Sequence, residues 1–363
     1  MERRQKAVVV ELLGKSQQEL REWMVSLGEP AYRGAQVYHA LYAERRREFG
    51  TMSNLPAALR ERLAREATIG LPKIGRKYHS ADGSVRYLLP LGAQPAADGA
   101  RGATIEAVFM PSEGRQTICI STQAGCAVDC KFCLTATLGL VRNLTAGEIV
   151  GQVLVALEDN RERLAPRTNV VLMGQGEPLL NYEATMAAVR ILLDANALAL
   201  SPRHVTLSTS GIVPGIDRLA QEKVRPKLAV SLNASNDAER DAIMPINRKY
   251  PIAALIEACR RYPLRPWERL TFEYVLLGGV NDAVEDARRV VRLVSGMRAK
   301  VNLIPWNPGE LPYRPPGAAA VEEFRRILAD KDVPVFVRYS RGQDIFAACG
   351  QLAVIETGME ARA

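Results

Sequence analysis

The sequence contains few histidines and no long apolar run. None of its windows reaches the roughly 18 consecutive apolar residues of a membrane-spanning helix, which excludes that class of membrane protein. Residues 1–6 are too polar for the apolar core of a signal peptide, so we expect a cytoplasmic protein. The three histidines, His39, His79 and His204, match no catalytic motif, and we expect structural or surface roles for them.

Acidic residues are outnumbered at the start of the chain. The sequence of 363 residues has a net charge of +8, and residues 1–90 hold 16 Lys and Arg against 10 Asp and Glu. Such a basic segment is typical of a surface that binds polyanions, although a modest surplus can also form an ordinary solvated face. The candidates for contact with RNA are arginines 45–47 and arginines 60, 62 and 65.

Residues 8–70 carry the apolar spacing of short amphipathic helices. Ser16 and Glu19 form a capping-box pattern at the start of the first helix. Trp23 and Tyr38 fall on apolar stripes that repeat at helical spacing, so we expect them in a core. The sequence therefore begins with a small helical region.

The spacing then changes to that of strands. Residues 76–110 alternate around Asp82 and Gly83, which predicts a β-hairpin. Residues 92–102 are rich in Ala, Gly and Pro and predict a loop. In the strand that follows, Glu106 is the only charged residue, and a single glutamate in a strand usually faces solvent.

From residue 117 onward, strand-like runs alternate with helix-like ones. The predicted strands are 117–121, 169–173, 205–208, 227–231, 270–277, 301–304 and 334–339. The predicted helices are 145–159, 182–197, 236–243, 251–262, 282–295 and 319–330. This order predicts a parallel sheet with crossover helices, either an open doubly wound sheet or a partial barrel. Polar residues collect where the strands end, which predicts a ligand site at that edge.

Three closely spaced cysteines, Cys126, Cys130 and Cys133, predict a metal site. Three thiolates can hold three irons of a cubane iron–sulfur cluster and leave the fourth iron open. A structural zinc site is the alternative, but it needs four ligands and the only nearby candidate is Cys119. We expect Cys259, in a predicted helix, to be a small buried side chain.

The spacing Cys-x3-Cys-x2-Cys, with Phe132 before the last cysteine, resembles the signature of the radical S-adenosylmethionine (radical SAM) superfamily. The resemblance implies a partial (β/α)6 barrel and one [4Fe-4S] cluster whose open iron chelates S-adenosylmethionine. Glycine permits close approach, a carboxylate suits the ammonium of the cofactor, and short hydroxyl and amide groups suit its other polar parts. The implied cofactor contacts are Gly176, Glu177, Ser208, Ser231, Leu232, Asn233 and Asn307.

Later motifs narrow the resemblance. Cys349 in Ala-Ala-Cys-Gly-Gln-Leu, together with Cys119, Glu106 and the segments Thr-Leu-Ser-Thr-Ser-Gly and Ile-Pro-Trp-Asn-Pro, resembles the RlmN family of adenine-C2 methyltransferases. This family acts on 23S ribosomal RNA and on the adenine 3′ of the tRNA anticodon. The likeness runs from about residue 12 to residue 352.

The resemblance implies a mechanism that uses two S-adenosylmethionine molecules per turnover. One methylates Cys349, and the 5′-deoxyadenosyl radical from the other removes a hydrogen from that methyl group. The resulting methylene radical adds to carbon 2 of adenine. Cys119 then forms a transient disulfide with Cys349, while Glu106 handles the proton from carbon 2. The resemblance also implies a monomer that receives electrons from a donor such as a flavodoxin.

The same resemblance divides the chain into three parts. We expect a helical RNA-binding accessory domain over residues 1–75, a short β extension with the radical SAM partial barrel over 76–345, and a tail over 346–363 that carries Cys349.

Several alternatives remain at this point. Asn233 stands where the family often has histidine. A Cfr-like enzyme that methylates carbon 8 shares the cluster and the extra cysteines, but Arg341-Gly-Gln-Asp before the Cys349 motif favours carbon 2. A non-catalytic RNA-binding module with structural zinc is the rival of another class. The sequence leaves open whether ribosomal RNA, transfer RNA or both are substrates.

Overall fold

The computed structural model of the protein describes residues 9–92 and 103–354. Residues 1–6, residues 93–102 of the predicted loop and residues 355–363 of the predicted tail lie outside the described part. The strands in these ranges are β1 (Val10–Glu11), β2 (Ala67–Thr68), β3 (Arg76–His79), β4 (Val85–Pro90), β5 (Thr104–Ser112), β6 (Arg115–Cys119), β7 (Gln123–Gly125), β8 (Leu140–Asn143), β9 (Arg167–Leu172), β10 (Val205–Thr209), β11 (Lys227–Ser231), β12 (Leu270–Leu276), β13 (Ala299–Pro305) and β14 (Val335–Val337).

The α-helices of the same ranges alternate with these strands in the second half of the chain. They are α1 (Gln17–Ser26), α2 (Tyr32–Tyr42), α3 (Ala57–Glu66), α4 (Ala146–Asp159), α5 (Tyr182–Leu193), α6 (Val213–Ala220), α7 (Asp237–Ile243), α8 (Ile252–Arg261), α9 (Val284–Val294) and α10 (Ala318–Ala329). Among the described residues, no helix combines the length and the apolar character needed to cross a membrane.

A ten-stranded sheet organises the fold. Its order is β14-β13-β12-β11-β10-β9-β6-β5-β4-β3, which is linear and open, as a partial barrel requires. The strands from β6 to β14 in this order pair in parallel, and β3, β4, β5 and β6 pair antiparallel. The parallel strands confirm the seven predicted strand runs, and the antiparallel ones form the predicted β extension.

Helix α6 was missed by the sequence analysis. It begins with Val213-Pro214-Gly215, a triplet that resembles a turn, but a proline in the first helical turn lacks only an N–H group that would be unpaired there anyway. The other predicted helices are present, with ends that differ by a few residues.

The N-terminal helices pack against the barrel. Their first helix begins at the predicted capping box, where the Ser16 hydroxyl accepts from the Glu19 amide at 3.2 Å and the Glu19 carboxylate accepts from the Ser16 amide at 2.7 Å. Tyr38 is buried, as predicted, and its hydroxyl donates to Asp194 of the barrel at 2.9 Å. A Cβ at Gly14, where φ is +90°, would lie 2.3 Å from the Gly147 amide at the start of α4. The close approach therefore needs a glycine.

Two arginines that were candidates for RNA contact are used inside the N-terminal region. Arg60 donates to the Gly50 carbonyl at 2.5 Å, and Arg62 donates to the Leu27 carbonyl at 2.7 Å. These bonds occupy part of each guanidinium group, and contact of Arg60 and Arg62 with RNA stays a prediction. Arg65 is exposed.

Candidate active site

Two adjoining cavities lie at the open face of the parallel strands. The loop cavity, of about 160 Å³, is lined by the cysteine loop and by the segments that follow β9, β10 and β11. The sheet cavity, of about 440 Å³, is lined by side chains of the parallel strands themselves, among them Cys119. Four residues line both cavities: Met173, Glu273, Ile304 and Cys349. Cys349 therefore stands at the junction of the two.

The cysteine loop is held in one conformation by backbone contacts. Gly125 has φ of +72°, and a Cβ there would lie 1.8 Å from the Gly139 carbonyl oxygen. The same oxygen accepts a hydrogen bond from the Cys126 amide at 2.9 Å. At the other end of the loop, the Trp306 indole N–H donates to the Phe132 carbonyl at 3.0 Å. The loop is thus fixed on both sides before any ligand binds.

The three loop thiols surround a shared space. Cys126, Cys130 and Cys133 all line the loop cavity, and burial raises the pKa of each, that of Cys126 to about 12. Within residues 9–92 and 103–354, no group of three or more His, Cys, Asp or Glu is close enough to hold a single metal ion. In a cubane cluster each cysteine binds a different iron, so its cysteines lie further apart than the ligands of a single metal ion. The arrangement of the three thiols fits such a cluster. Cys119 does not line this cavity.

Gly176 and Glu177 follow β9 and pack against the segment before the cysteines. Gly176 has φ of +97°, and a Cβ there would lie 2.7 Å from the Gln123 amide. The Glu177 carboxylate is buried, accepts from the Ser210 amide and hydroxyl at 2.7 Å each, and lines the loop cavity. Burial raises its pKa, while the bonds from Ser210 and Leu179 act in the opposite direction. A cationic ligand group in the cavity would offset the burial of this carboxylate.

Asn233 adopts a left-handed conformation at the end of β11, with φ of +55°. Its side-chain oxygen accepts from the Val275 amide at 2.9 Å, and the residue lines the loop cavity. Asparagine and histidine are both enriched among residues with positive φ, which gives a physical reason for either residue at this position. Ser208, Ser231 and Asn307 line the same cavity.

Leu232 differs from the other predicted cofactor contacts. It is fully buried in the main core and does not line the loop cavity. Its amide donates to the Glu273 carbonyl at 2.9 Å, and its carbonyl accepts from Arg240 at 2.9 Å. Both backbone groups are therefore engaged within the protein, and a cofactor contact by Leu232 stays a prediction.

The sequence analysis missed Arg240, because an arginine in a helix does not by itself indicate a buried position near a ligand site. Its guanidinium is fully buried and donates to three carbonyl oxygens and one amide oxygen: Ser210 at 2.7 Å, Leu232 at 2.9 Å, Ser231 at 3.0 Å and Asn247 at 3.1 Å. Burial lowers its pKa to about 10. The residue ties together the segments after β10 and β11 that line the loop cavity.

The C-terminal segment docks on the cysteine loop and carries Cys349 to the junction. Gly350 accepts from the Leu134 amide at 2.8 Å, and Leu352 accepts from the Thr135 hydroxyl at 2.6 Å. The Asn307 side chain donates to the Cys349 carbonyl at 3.1 Å. Asn307 thus contacts the segment that carries Cys349 and also lines the loop cavity.

Cys349 and Cys119 both line the sheet cavity. The Cys349 side chain is accessible from the cavities. Desolvation by the surrounding protein raises the pKa of its thiol to about 12, and the negative charge of Glu273 contributes to this increase. Burial also raises the pKa of Cys119, and the charge of Cys349 adds to that effect. The Cys349 thiol is thus close enough to raise the pKa of Cys119.

Glu106 does not face solvent, so that expectation was wrong. It is fully buried in β5, where it pairs with the guanidinium of Arg86 on the neighbouring strand at 3.0 Å. It also accepts from Gln175 at 3.1 Å and from the Val354 amide at 3.0 Å. Burial raises its pKa, and it lines neither cavity.

The remaining candidate residues also have defined places. His39 and His79 are exposed, as expected, but His204 lines the sheet cavity and its Nδ1 lies 2.9 Å from the Asn169 side-chain oxygen. Cys259 is buried in α8, as predicted. The sequence analysis also missed Glu273, whose only signal was a charged residue inside an otherwise uncharged strand.

Comparison with known proteins gives consistent matches. Residues 120–293 match the family model of the radical SAM superfamily, and residues 10–69 match that of the ribosomal RNA large subunit methyltransferase N-terminal domain. The chain is 48% identical to the dual-specificity RNA methyltransferase RlmN of Anaeromyxobacter dehalogenans, over 93% of this chain and 90% of the relative. The RlmN of Geobacter sulfurreducens is 44% identical over 95% of this chain and 92% of its own length.

A solved structure matches over nearly the whole chain. The crystal structure of a radical SAM methyltransferase from Sphaerobacter thermophilus superimposes with a TM-score of 0.87 and 44% sequence identity. The match covers 94% of this chain and 99% of that one.

Proposed function

Because the chain belongs to the RlmN family of radical SAM RNA methyltransferases, we propose that it methylates carbon 2 of adenine in 23S ribosomal RNA and transfer RNA through a methyl group carried on Cys349. The observation that supports this proposal most directly is the position of Cys349 at the junction of the two cavities. A carrier at that point can meet a methyl donor on one side and a base on the other.

The loop cavity is the proposed cofactor site. Cys126, Cys130 and Cys133 would hold the iron–sulfur cluster, which when bound with S-adenosylmethionine supplies the methyl group and the radical chemistry. The groups proposed to orient the cofactor are Gly176, Glu177, Ser208, Ser231, Asn233 and Asn307, which all line this cavity.

The sheet cavity is the proposed site of the base. Cys119 lies there within electrostatic reach of Cys349. In the release step its thiolate attacks the Cys349 sulfur, so that an S–S bond forms while the bond from that sulfur to the methylene carbon breaks. The carbon takes the bonding electron pair and a proton, and the disulfide is later reduced by a thiol.

Glu106 is proposed to accept the proton lost from carbon 2, but it lies beneath the C-terminal segment. Its Oε2 accepts from the Val354 amide at 3.0 Å, and neither cavity reaches it. The role therefore requires the end of that segment to move when RNA binds.

The proposal extends to the organisation and partners of the enzyme. We propose the accessory domain over residues 1–75, the barrel with its β extension over 76–345 and the carrier tail over 346–363. We further propose two S-adenosylmethionine molecules per turnover, a donor such as a flavodoxin, a cytoplasmic location and a monomer. Arginines 45–47 are the proposed RNA contacts of the accessory domain.

Cysteine variants test the proposed function. Cys349→Ala should give no methylated RNA, whereas Cys119→Ala should accumulate a covalent adduct between RNA and protein that is visible on a denaturing gel. Cys259→Ala is the matched control, because this cysteine is buried in α8 away from both cavities. Full product formation by Cys349→Ala would overturn the carrier role.

A further inference from the structure

The sheet cavity has an excess of positive charge that the proposed chemistry does not use. One carboxylate lines it, that of Glu273, which lies beside Cys349 at the junction with the loop cavity. Its cationic lining residues are Arg115, Lys227, Lys300, Arg338 and Arg341. The cavity therefore has five cationic side chains and one carboxylate, which leaves a net positive charge.

Three of these cations come from separate strands and line the same cavity. Lys227 and Lys300 lie at the starts of β11 and β13, and Arg338 directly follows β14. Burial lowers the pKa of both lysines, and the charge of Arg338 lowers each of them further. Like charges in one cavity repel one another, so bringing these three together costs free energy that an anion would offset.

One protein carboxylate, that of Glu273, acts on this group: it acts to raise the pKa of Lys300, and Lys300 and Arg338 act to lower the pKa of Glu273. A single carboxylate does not balance the charge of three cations. Within the described residues, none of the three cations forms an ion pair or a side-chain hydrogen bond. The charge of Glu268 acts to raise the pKa of Lys227, but the Glu268 carboxylate forms its ion pair with the guanidinium of Arg265, at 3.3 Å. Lys300 and Arg338 instead approach the ring of Phe336, at 5.6 and 5.8 Å from its centre. An anionic ligand would replace the missing counter-charge.

We propose that Lys227, Lys300 and Arg338 bind a backbone phosphate of the RNA next to the target adenine. The inference rests on the proposed function, since it takes RNA as the substrate. An adenine base is neutral and needs no cation, whereas each linkage of its backbone carries one negative charge. The cavity has a volume of about 440 Å³, which lies within the roughly 300–1000 Å³ of ligand-binding pockets. It therefore has room for the base together with its sugar and phosphate.

The proposed phosphate site would also orient the base. With the phosphate held by the three cations, the base extends toward Cys119 and Cys349, which line the same cavity. The cations are thus positioning residues that set which face and edge of the adenine meets the carrier. Arginine is suited to this task because its planar fork can bind two phosphate oxygens at once.

Binding of an RNA stem-loop to the anaerobic holoenzyme tests the proposal. The double variant Lys227→Ala/Lys300→Ala should raise Kd by tenfold or more, on the order expected when charge-assisted hydrogen bonds are lost. The slope of log Kd against log salt should fall by about 0.7 for each lost phosphate contact. The double variant Lys227→Arg/Lys300→Arg should retain the affinity, and Lys331→Ala is a control on the exposed turn after α10.

A neutral methylphosphonate linkage next to the target adenine makes the test specific. In the wild-type enzyme this linkage should weaken binding as much as the alanine variant does, and in that variant it should have little further effect. Additive losses from the linkage and the variant at every position tested, or an unchanged salt slope in the variant, would overturn the proposal. Because binding is the readout, the result is separate from failure of the wild-type enzyme to form 2-methyladenosine.

Discussion

Replacing Arg240 by methionine should destabilise the protein by about 3–5 kcal/mol. The guanidinium is fully buried and makes four hydrogen bonds of 2.7–3.1 Å to the segments around the loop cavity. Each acceptor left unpaired in the interior costs about 1–3 kcal/mol. Methionine retains most of the apolar volume and removes the desolvation cost of a buried cation, which offsets part of this loss. Lysine keeps the charge but not the fork, so Arg240→Lys should lose an intermediate amount.

Urea denaturation under anaerobic conditions measures this difference, with each variant loaded with cofactor to the same extent. Arg292→Met is the control, because that exposed arginine pairs only with Glu285 on the surface and should change the free energy of unfolding by less than about 1 kcal/mol. A denaturation midpoint for Arg240→Met within error of the wild-type value would refute the reasoning. It would mean that the cavity segments hold together without the guanidinium.

Three further predictions concern the cavities and the accessory domain. Burial raises the pKa of Glu273 above its ordinary value of 4.5, so the stability it contributes is present below that value and is lost as pH rises. Glu273→Gln should therefore gain stability relative to wild type between pH 4.5 and pH 8. Glu285→Gln should show no such trend in this window, because Arg292 lowers the pKa of Glu285 and the stability it contributes is lost only as pH falls below 4.5. Gly125→Ala should bind little iron, because its Cβ would lie 1.8 Å from a carbonyl oxygen, while Gly139→Ala, also at positive φ but without a contact, should bind more. Charge reversal at arginines 45–47 should weaken RNA binding and flatten its salt dependence, and an unchanged slope would remove these residues from the interface.

Local patterns account for the parts of the fold that could be predicted. The parallel strands are short apolar runs between helical segments, and the capping boxes at Ser16 and Thr145 depend on residues three positions apart. The cysteine loop is equally local, since its three cysteines fall within eight residues. Each of these features is specified by neighbours in the sequence.

The burial of Glu106 could not be predicted in this way. Its ion-pair partner Arg86 lies on the adjacent strand, and the amide that covers it belongs to Val354, 248 residues further along the chain. Arg240 and the three cations of the sheet cavity were missed for the same reason. Their contacts and burial depend on segments that are distant in the sequence and that only the folded sheet brings together.

Methylation with S-adenosylmethionine carrying a CD3 methyl group tests the central claim most directly. The anaerobic enzyme acts on ribosomal and transfer RNA fragments, and mass spectrometry of the nucleosides counts the deuterium atoms in the product. Transfer through a methylene group on Cys349 predicts 2-methyladenosine that retains two of the three deuterium atoms. A product with all three would contradict the account, because it would show direct transfer of an intact methyl group.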